Sequence, residues 1–218
     1  MKINRHGKAK ILSPEEIQLL FSKGLLLTRD RTLMAVMLYT AARVNETVTL
    51  LTTDVYNKRG KVRPELIIRK SNSKGKLATR SIPVLEDLRT RLENYRPTYD
   101  NGYLFPGLWG KGHLHRDSAC LILKRACERT GIDGISTHSF RRTALTLMSN
   151  AHIPLRVIQE ISGHRNLDQL QRYLEVETDQ VKGAIAQLSM LSPTEERQIE
   201  KRMFIDQRPT QFRQRDST

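Results

Sequence analysis

Five residues of this 218-residue chain have side chains suited to transfer chemistry at an anionic centre. His138 and Arg141 stand three apart in HSFRRT, and that separation puts both on one face of a helix. His164 precedes Tyr173 by nine residues in HRNLDQLQRY, and Arg43 lies far upstream in YTAARVNE. Arginine binds two oxygens with a permanent charge, imidazole moves protons near neutral pH, and a tyrosine hydroxyl can attack and later leave. The set offers a positive cluster, a proton shuttle and a nucleophile.

The helix that carries His138 and Arg141 is predicted to pack against the hydrophobic core. Its apolar stripe consists of Phe140, Ala144, Leu147, Met148 and Ala151. At about 100° per residue, Arg141 lies beside that stripe and His138 a little further round. The pattern therefore predicts both groups at the edge of a cleft.

The elements that must position these groups form one mainly helical domain with a small antiparallel β-sheet. Apolar periodicity and capping residues predict helices from Ser13, where Glu16 closes a capping box, and at about residues 30–41, 44–51, 86–95, 116–130, 137–151, 155–162 and 178–191. Two short apolar runs, 65–69 and 79–84, predict strands joined by the loop KSNSKGKLA. This α+β arrangement is our predicted fold class.

Charge and composition point to a polyanionic partner. The formal net charge is +14, and the segment from Asp54 to Arg91 carries eleven Lys or Arg against four Asp or Glu. The last 27 residues, 192–218, carry six against five, so the positive field belongs to the folded part. The sequence has no transmembrane run, no signal peptide and no zinc-type Cys/His spacing. We expect a cytoplasmic protein with no metal and no cofactor.

Taken together, these motifs resemble the catalytic domain of tyrosine recombinases, the phage-integrase family, from about Leu12 to Leu191. The family's Tyr-Thr-Gly-x-Arg-x-x-Glu is matched by YTAARVNE, its His-x-x-Arg by HSFR, and its Leu-Gly-His with a tyrosine nine residues later by SGHRNLDQLQRY. Two departures are mild: Ala42 stands where glycine is usual, and Arg142 stands where histidine is common.

The resemblance implies a role for each group in cleaving and rejoining DNA through a covalent 3′-phosphotyrosine. Tyr173 is the expected nucleophile. Arg43 and Arg141 would stabilise the charged transition state, His164 would add a hydrogen bond, and His138 would move the tyrosine proton. Glu46 would orient Arg43 or a neighbouring group.

The resemblance also implies a catalytic lysine on the hairpin, which would protonate the leaving 5′ oxygen. Lys74 stands nine residues before Pro83 and is favoured over Lys76, which stands seven before it. Contacts to DNA phosphates are predicted for Lys70, Lys76, Arg80 and Arg142.

Three segments are expected: a flexible basic arm (1–12), the catalytic domain (13–191) and a charged, partly disordered tail (192–218). Since about twelve residues precede the first helix, we expect the family's N-terminal DNA clamp to be missing and stand-alone DNA binding to be weak. The expected partners are duplex DNA, further copies of the chain as a dimer or tetramer on DNA, and an accessory recombination protein. Which reaction the enzyme catalyses, integration, excision or inversion, is left open by the sequence. The alternatives are a type IB topoisomerase-like enzyme and a DNA-binding accessory protein that never cuts.

Overall fold

The computed structural model describes residues 9–72, 78–98 and 102–171, and single helical residues at 181, 182 and 185. The chain divides into two compact units, residues 1–175 and 176–218, and the description below concerns the first. Several predictions lie outside the described residues: Lys74 and Lys76 of the hairpin loop, the nucleophile Tyr173, the first eight residues of the arm, most of the helix predicted at 178–191, and the tail.

The described part is mainly helical with one two-stranded antiparallel sheet, which confirms the predicted fold class. The elements are α1 (Pro14–Leu19), continued by a π-helical turn (Leu20–Gly24), α2 (Thr28–Thr40), α3 (Val44–Val48), α4 (Thr52–Val55), β1 (Glu65–Ile68), β2 (Arg80–Pro83), α5 (Glu86–Glu93), α6 (Arg116–Thr130), α7 (Thr137–Asn150), α8 (Leu155–Ser162) and α9 (Leu167–Gln171). Short 3₁₀ turns lie at Lys70–Asn72 and Leu108–Gly110. No helix in these ranges is long and apolar enough to cross a membrane.

Helix α1 begins as its sequence predicts. The Ser13 hydroxyl accepts a hydrogen bond from the Glu16 amide at 3.2 Å, and the Glu16 carboxylate accepts one from the Ser13 amide at 3.1 Å. This reciprocal capping box satisfies two amides that the first turn leaves without helical partners. Pro14, whose missing N–H costs nothing at a helix start, occupies the first position.

Helix α2 lies at the centre of the core. All six residues from Thr32 to Met37 are buried, rather than the single stripe that the periodicity predicts. The reason is that α2 packs against α5 and α7 as well as α3, so more than one face is covered. Its C-terminal end therefore holds the turn before Arg43 firmly inside the fold.

The β1–β2 sheet lies at the two strands predicted. Leu66 pairs with Ile82, and Ile68 pairs with Arg80. Burial alternates along β2, with Arg80 and Ile82 on the buried face, as the period of two requires. Pro83 ends the strand, where its missing N–H breaks no interior ladder bond.

Some local predictions are wrong. The helix predicted over 44–51 ends at Val48 and is followed by the separate four-residue α4. Leu147, predicted to be buried on α7, is 54% exposed, and Ala151 is also exposed. Burial along α7 is continuous from Ser139 to Thr146, and both residues lie beyond that stretch.

Candidate active site

Helix α7 carries Arg141 into the interior. Arg141 is 1% exposed, so the prediction that it lies at a cleft edge is wrong, whereas His138 is exposed. The Arg141 guanidinium donates to the carbonyl oxygen of Ala41, and through Nη2 to that of Ser162 at 2.8 Å. A buried arginine needs such partners because removing its charge from water is costly. These two bonds join the end of α2 and the end of α8 to the middle of α7.

Arg141 also contacts the second histidine of the sequence motifs. Its Nη2 lies 3.1 Å from Nε2 of His164, a residue that is 5% exposed. Since guanidinium can only donate, Nε2 is the acceptor, and Nδ1–H then donates to the Ser162 hydroxyl at 2.8 Å. The side-chain amide of Gln159 donates a hydrogen bond to the His164 carbonyl at 3.1 Å. Gly163 ends α8 with φ of +63°, a left-handed conformation that turns the chain back towards Arg141.

The turn between α2 and α3 corrects one detail of the motif comparison. Ala41, not Ala42, has the left-handed backbone, with φ of +51°. Ala41 is also the residue that YTAAR aligns with the glycine of Tyr-Thr-Gly-x-Arg. Glycine suits that position because it adopts positive φ without strain.

Arg43 caps α3 and pairs with the acid three residues later. The Glu46 carboxylate accepts from the Arg43 amide at 2.8 Å and lies 3.2 Å from the Arg43 Nη1. Glu46 is 1% exposed, while the Arg43 side chain keeps 22% of its surface exposed. The acid thus holds the arginine from the inner side and leaves its outer side towards solvent.

Arg80, predicted from the sequence to contact DNA, pairs with the same carboxylate inside the fold. Its side chain is 8% exposed, its Nη2 lies 2.9 Å from Glu46, and its Nη1 donates to the Ile161 carbonyl at 2.8 Å. The sequence carried a signal for this position. Strand alternation places Arg80 on the same face as the buried Ile82.

Arg142 was also predicted to contact DNA. In the free chain it is 3% exposed, and its guanidinium donates to the carbonyl of Ala9. Next to it, the Thr143 hydroxyl accepts from the Leu12 amide at 2.8 Å, and Leu12 is 3% exposed. The segment 9–12, assigned to a flexible arm from the sequence, is therefore bound along α7.

Both histidines are held neutral by this environment. Burial, followed by the charges of Arg141, Arg43 and Arg80, lowers the pKa of His164 from 6.5 to about 3. Partial loss of hydration, then Arg141 and Arg43, lowers the pKa of His138 as well. Arg141 and Arg43 thus act on both histidines, and Arg80 acts on His164 as well. Such an arrangement attracts an anion and keeps an uncharged imidazole ready to accept a proton.

Comparison with known proteins identifies the family. The family model described as "Phage integrase family" matches residues 10–180. The chain belongs to the phage integrase family. The Tyrosine recombinase XerD of Corynebacterium glutamicum is 31% identical over 159 residues, which are 71% of this chain and 50% of that protein. Tyrosine recombinase XerA of Pyrococcus furiosus is 30% identical over 167 residues, 75% of this chain and 56% of that protein. The chain thus spans about half the length of these curated relatives.

Solved structures agree on the phage integrase fold. The crystal structure of XerH site-specific recombinase bound to palindromic difH substrate, a post-cleavage complex, matches with a TM-score of 0.66 at 20% identity. The match covers 84% of this chain and 54% of that one. At 20% identity this likeness establishes the fold of the chain and no more.

The hairpin of this phage integrase domain is anchored on both strands. Arg69, directly after β1, lies 2.6 Å from Asp54, which is fully buried, and Arg80 on β2 holds Glu46. Lys70 follows Arg69 and is exposed, and its amide donates to the Thr79 hydroxyl at 3.2 Å. The stem is therefore fixed up to the point where the loop with Lys74 and Lys76 begins.

Proposed function

We propose that this chain is the catalytic part of a site-specific DNA recombinase, which cleaves and rejoins duplex DNA through a covalent 3′-phosphotyrosine at Tyr173. The observation that carries the proposal is the convergence of Arg43, Arg141 and His164 around the ends of α2 and α8, with His138 exposed beside them. Membership of the phage integrase family and the net charge of +14 support it.

The arginines would stabilise the transition state. Attack on phosphorus places extra negative charge on the non-bridging oxygens, and fixed guanidinium donors are worth most where they need no reorganisation. Arg141 is held by two main-chain carbonyls and Arg43 by the Glu46 carboxylate. Both are thus oriented before a phosphate arrives, and Arg43 is the more accessible of the two.

The histidines would handle protons and orientation. His138 is exposed and its pKa is lowered, so at neutral pH it is an uncharged imidazole that can take the proton of the Tyr173 hydroxyl. His164, neutral and bonded to Arg141, would turn its N–H from Ser162 towards the phosphate when DNA is bound.

The remaining roles fall on the hairpin. A lysine of the loop, Lys74 before Lys76, would protonate the 5′ oxygen as it leaves. Exposed Lys70 at the base of the loop would contact a phosphate. Arg80 and Arg142, predicted from the sequence to contact DNA, are engaged inside the free chain, Arg80 by Glu46 and the Ile161 carbonyl and Arg142 by the Ala9 carbonyl.

Duplex DNA is the proposed partner. The structural relative XerH is described as bound to its difH substrate, in line with a DNA-binding surface on this fold. We further propose self-association on DNA, since exchanging strands between two duplexes needs more than one nucleophile. An accessory recombination protein would supply any DNA grip that this domain lacks.

A trapping assay tests the proposal. The protein is incubated with nicked suicide-substrate DNA from its own genomic neighbourhood, quenched with detergent, and examined for a covalent protein–DNA adduct. Tyr173→Phe should abolish the adduct, whereas the control Tyr39→Phe, which removes a hydroxyl 3.3 Å from Asp87, should keep it. An adduct that persists in Tyr173→Phe would refute the nucleophile. DNA binding without any adduct would favour the non-cutting accessory protein, and relaxation of supercoils by a monomer would favour a topoisomerase.

A further inference from the structure

Arg80 occupies a junction that none of the proposed catalytic roles uses. It is a buried arginine on β2, and its guanidinium reaches two other elements at once. One side pairs with Glu46 of α3 at 2.9 Å, and the other donates to the carbonyl of Ile161, near the end of α8, at 2.8 Å. The hairpin, the Arg43 helix and the His164 turn therefore meet at one side chain.

The fit around this guanidinium is tight. A Cβ added to Gly163 would lie 2.7 to 2.9 Å from the Nη1, Cζ and Cδ atoms of Arg80, closer than real contacts allow. Gly163 directly precedes His164, so the arginine packs against the turn that positions the histidine. Planar guanidinium suits such a junction because its donors are fixed in direction, which lysine cannot reproduce.

The position of Arg80 in the sheet gives this junction its consequence. Arg80 pairs with Ile68 in the register of β1 and β2, so it lies at the first step of the stem below the loop. The loop holds Lys74 and Lys76, one of which is the proposed proton donor. On the other side of the stem, directly after β1, Arg69 is tied to α4 through Asp54. Arg80 therefore links the hairpin directly to the elements that hold Arg43 and His164.

We propose that Arg80 is a positioning residue for the proton donor: it fixes the β1–β2 hairpin, and with it the catalytic lysine, against the elements that hold Arg43 and His164. The inference rests on the proposed function. In the step concerned, the Tyr173 oxygen forms a bond to phosphorus while the bond from phosphorus to the 5′ oxygen breaks. The lysine ammonium gives its proton to that departing oxygen, which otherwise leaves as an alkoxide.

A substrate with sulfur in place of the bridging 5′ oxygen separates positioning from general damage. A thiol has a pKa of about 8.5, so sulfur departs as a thiolate without needing a proton. A defect confined to proton donation is therefore relieved on this substrate. A defect in the arginines, in the nucleophile or in folding slows both substrates equally.

The experiment measures single-turnover adduct formation on the two substrates for the wild-type chain, Arg80→Met and Arg80→Lys. General acid catalysis contributes about 10² to 10⁴-fold, so Arg80→Met should slow the ordinary substrate by roughly 100-fold and react with the sulfur substrate near the wild-type rate. Arg80→Lys keeps a charge for Glu46 but cannot also hold Ile161. It should show a smaller loss with the same relief by sulfur, and it keeps the test usable if Arg80→Met is too unstable.

Arg142→Met is the matched control, because Arg142 is also a buried arginine and its guanidinium ties α7 to the carbonyl of Ala9. Any loss in that variant should be the same on both substrates. Equal losses on both substrates in the Arg80 variants would overturn the inference and leave Arg80 a general stabilising residue. No adduct from the wild-type chain on either substrate would instead refute the proposed function.

Discussion

Lowering the pH from 7 to 5 should destabilise the fold through His164. Burial and three nearby arginines lower the pKa of this histidine from 6.5 to about 3 in the folded chain. In the unfolded chain the imidazole regains its ordinary pKa and takes up a proton as the pH falls below that value. Protons then favour the unfolded state, so the stability is fully present above the unfolded pKa and is lost progressively as the pH falls towards the folded pKa.

The magnitude follows from the two pKa values. With 6.5 in the unfolded chain and about 3 in the folded chain, the free energy of unfolding falls by about 2 kcal/mol between pH 7 and pH 5. His164 is 5% exposed, so solvent screens little of this effect. For a chain of this length, about 2 kcal/mol corresponds to a shift of roughly 4 to 8 °C in Tm.

Comparison with His164→Gln isolates the contribution, because carboxylates and His138 titrate in both proteins. Glutamine keeps an oxygen that can accept from Arg141 but binds no proton in this range. Urea denaturation at pH 7, 6 and 5 at constant ionic strength should give a wild-type stability that falls about 2 kcal/mol more than that of the variant. His115→Gln, which removes an exposed histidine, should behave like the wild type. Equal pH dependence in the wild type and His164→Gln would refute the assignment of a buried, neutral His164.

Three further results are expected. Glu46→Gln leaves Arg43 and Arg80 without their buried counter-charge, and it should lower the free energy of unfolding by about 3 kcal/mol in urea denaturation at pH 7. A loss below about 1 kcal/mol would mean that solvent screens these ion pairs. The rate of adduct formation should fall in acid at a pH below the ordinary pKa of histidine, because the pKa of His138 is lowered. His138→Gln should flatten this acid limb of the pH–rate profile. An unchanged acid limb in the variant would assign the proton transfer to another group. Thr143→Val leaves the buried Leu12 amide without its acceptor, so the free energy of unfolding should fall by about 1 to 3 kcal/mol and proteolysis before Leu12 should become faster. An unchanged rate of cleavage would show that the segment 9–12 is not held by this bond.

The sequence predicted best those elements whose ends are marked by special residues. Helix α6 spans the predicted residues and ends at Gly131, and α8 spans the predicted residues and ends at Gly163; both glycines have positive φ. By contrast, α4 and α9 have four and five residues, too few to display a helical period. Their existence depends on packing between distant segments, which one sequence does not display.

The buried arginines were harder to predict than the catalytic motifs. Basic residues in or beside a lysine-rich loop are usually solvated, so Arg80 was predicted to contact DNA. Its partner Glu46 lies 34 residues earlier in the sequence, and the carbonyl of Ile161 lies 81 residues later. Alternation along the strand could have indicated that Arg80 shares a face with the buried Ile82, but the carboxylate that makes its burial tolerable comes from a distant part of the sequence.

The charge balance of the site explains why the same residues determine both stability and reactivity. In the described part of the chain, the Glu46 carboxylate pairs with Arg43 and Arg80. Arg141 instead donates hydrogen bonds to main-chain carbonyls, which carry only a partial charge. The cluster therefore keeps a net positive charge beside two histidines, and this charge adds to burial, the larger cause, in lowering the pKa of both. A bound phosphate would supply the missing negative charge. A positive cluster that the fold alone does not neutralise thus contributes both to the acid sensitivity of the free protein, beside the burial of His164, and to the readiness of the site for an anion.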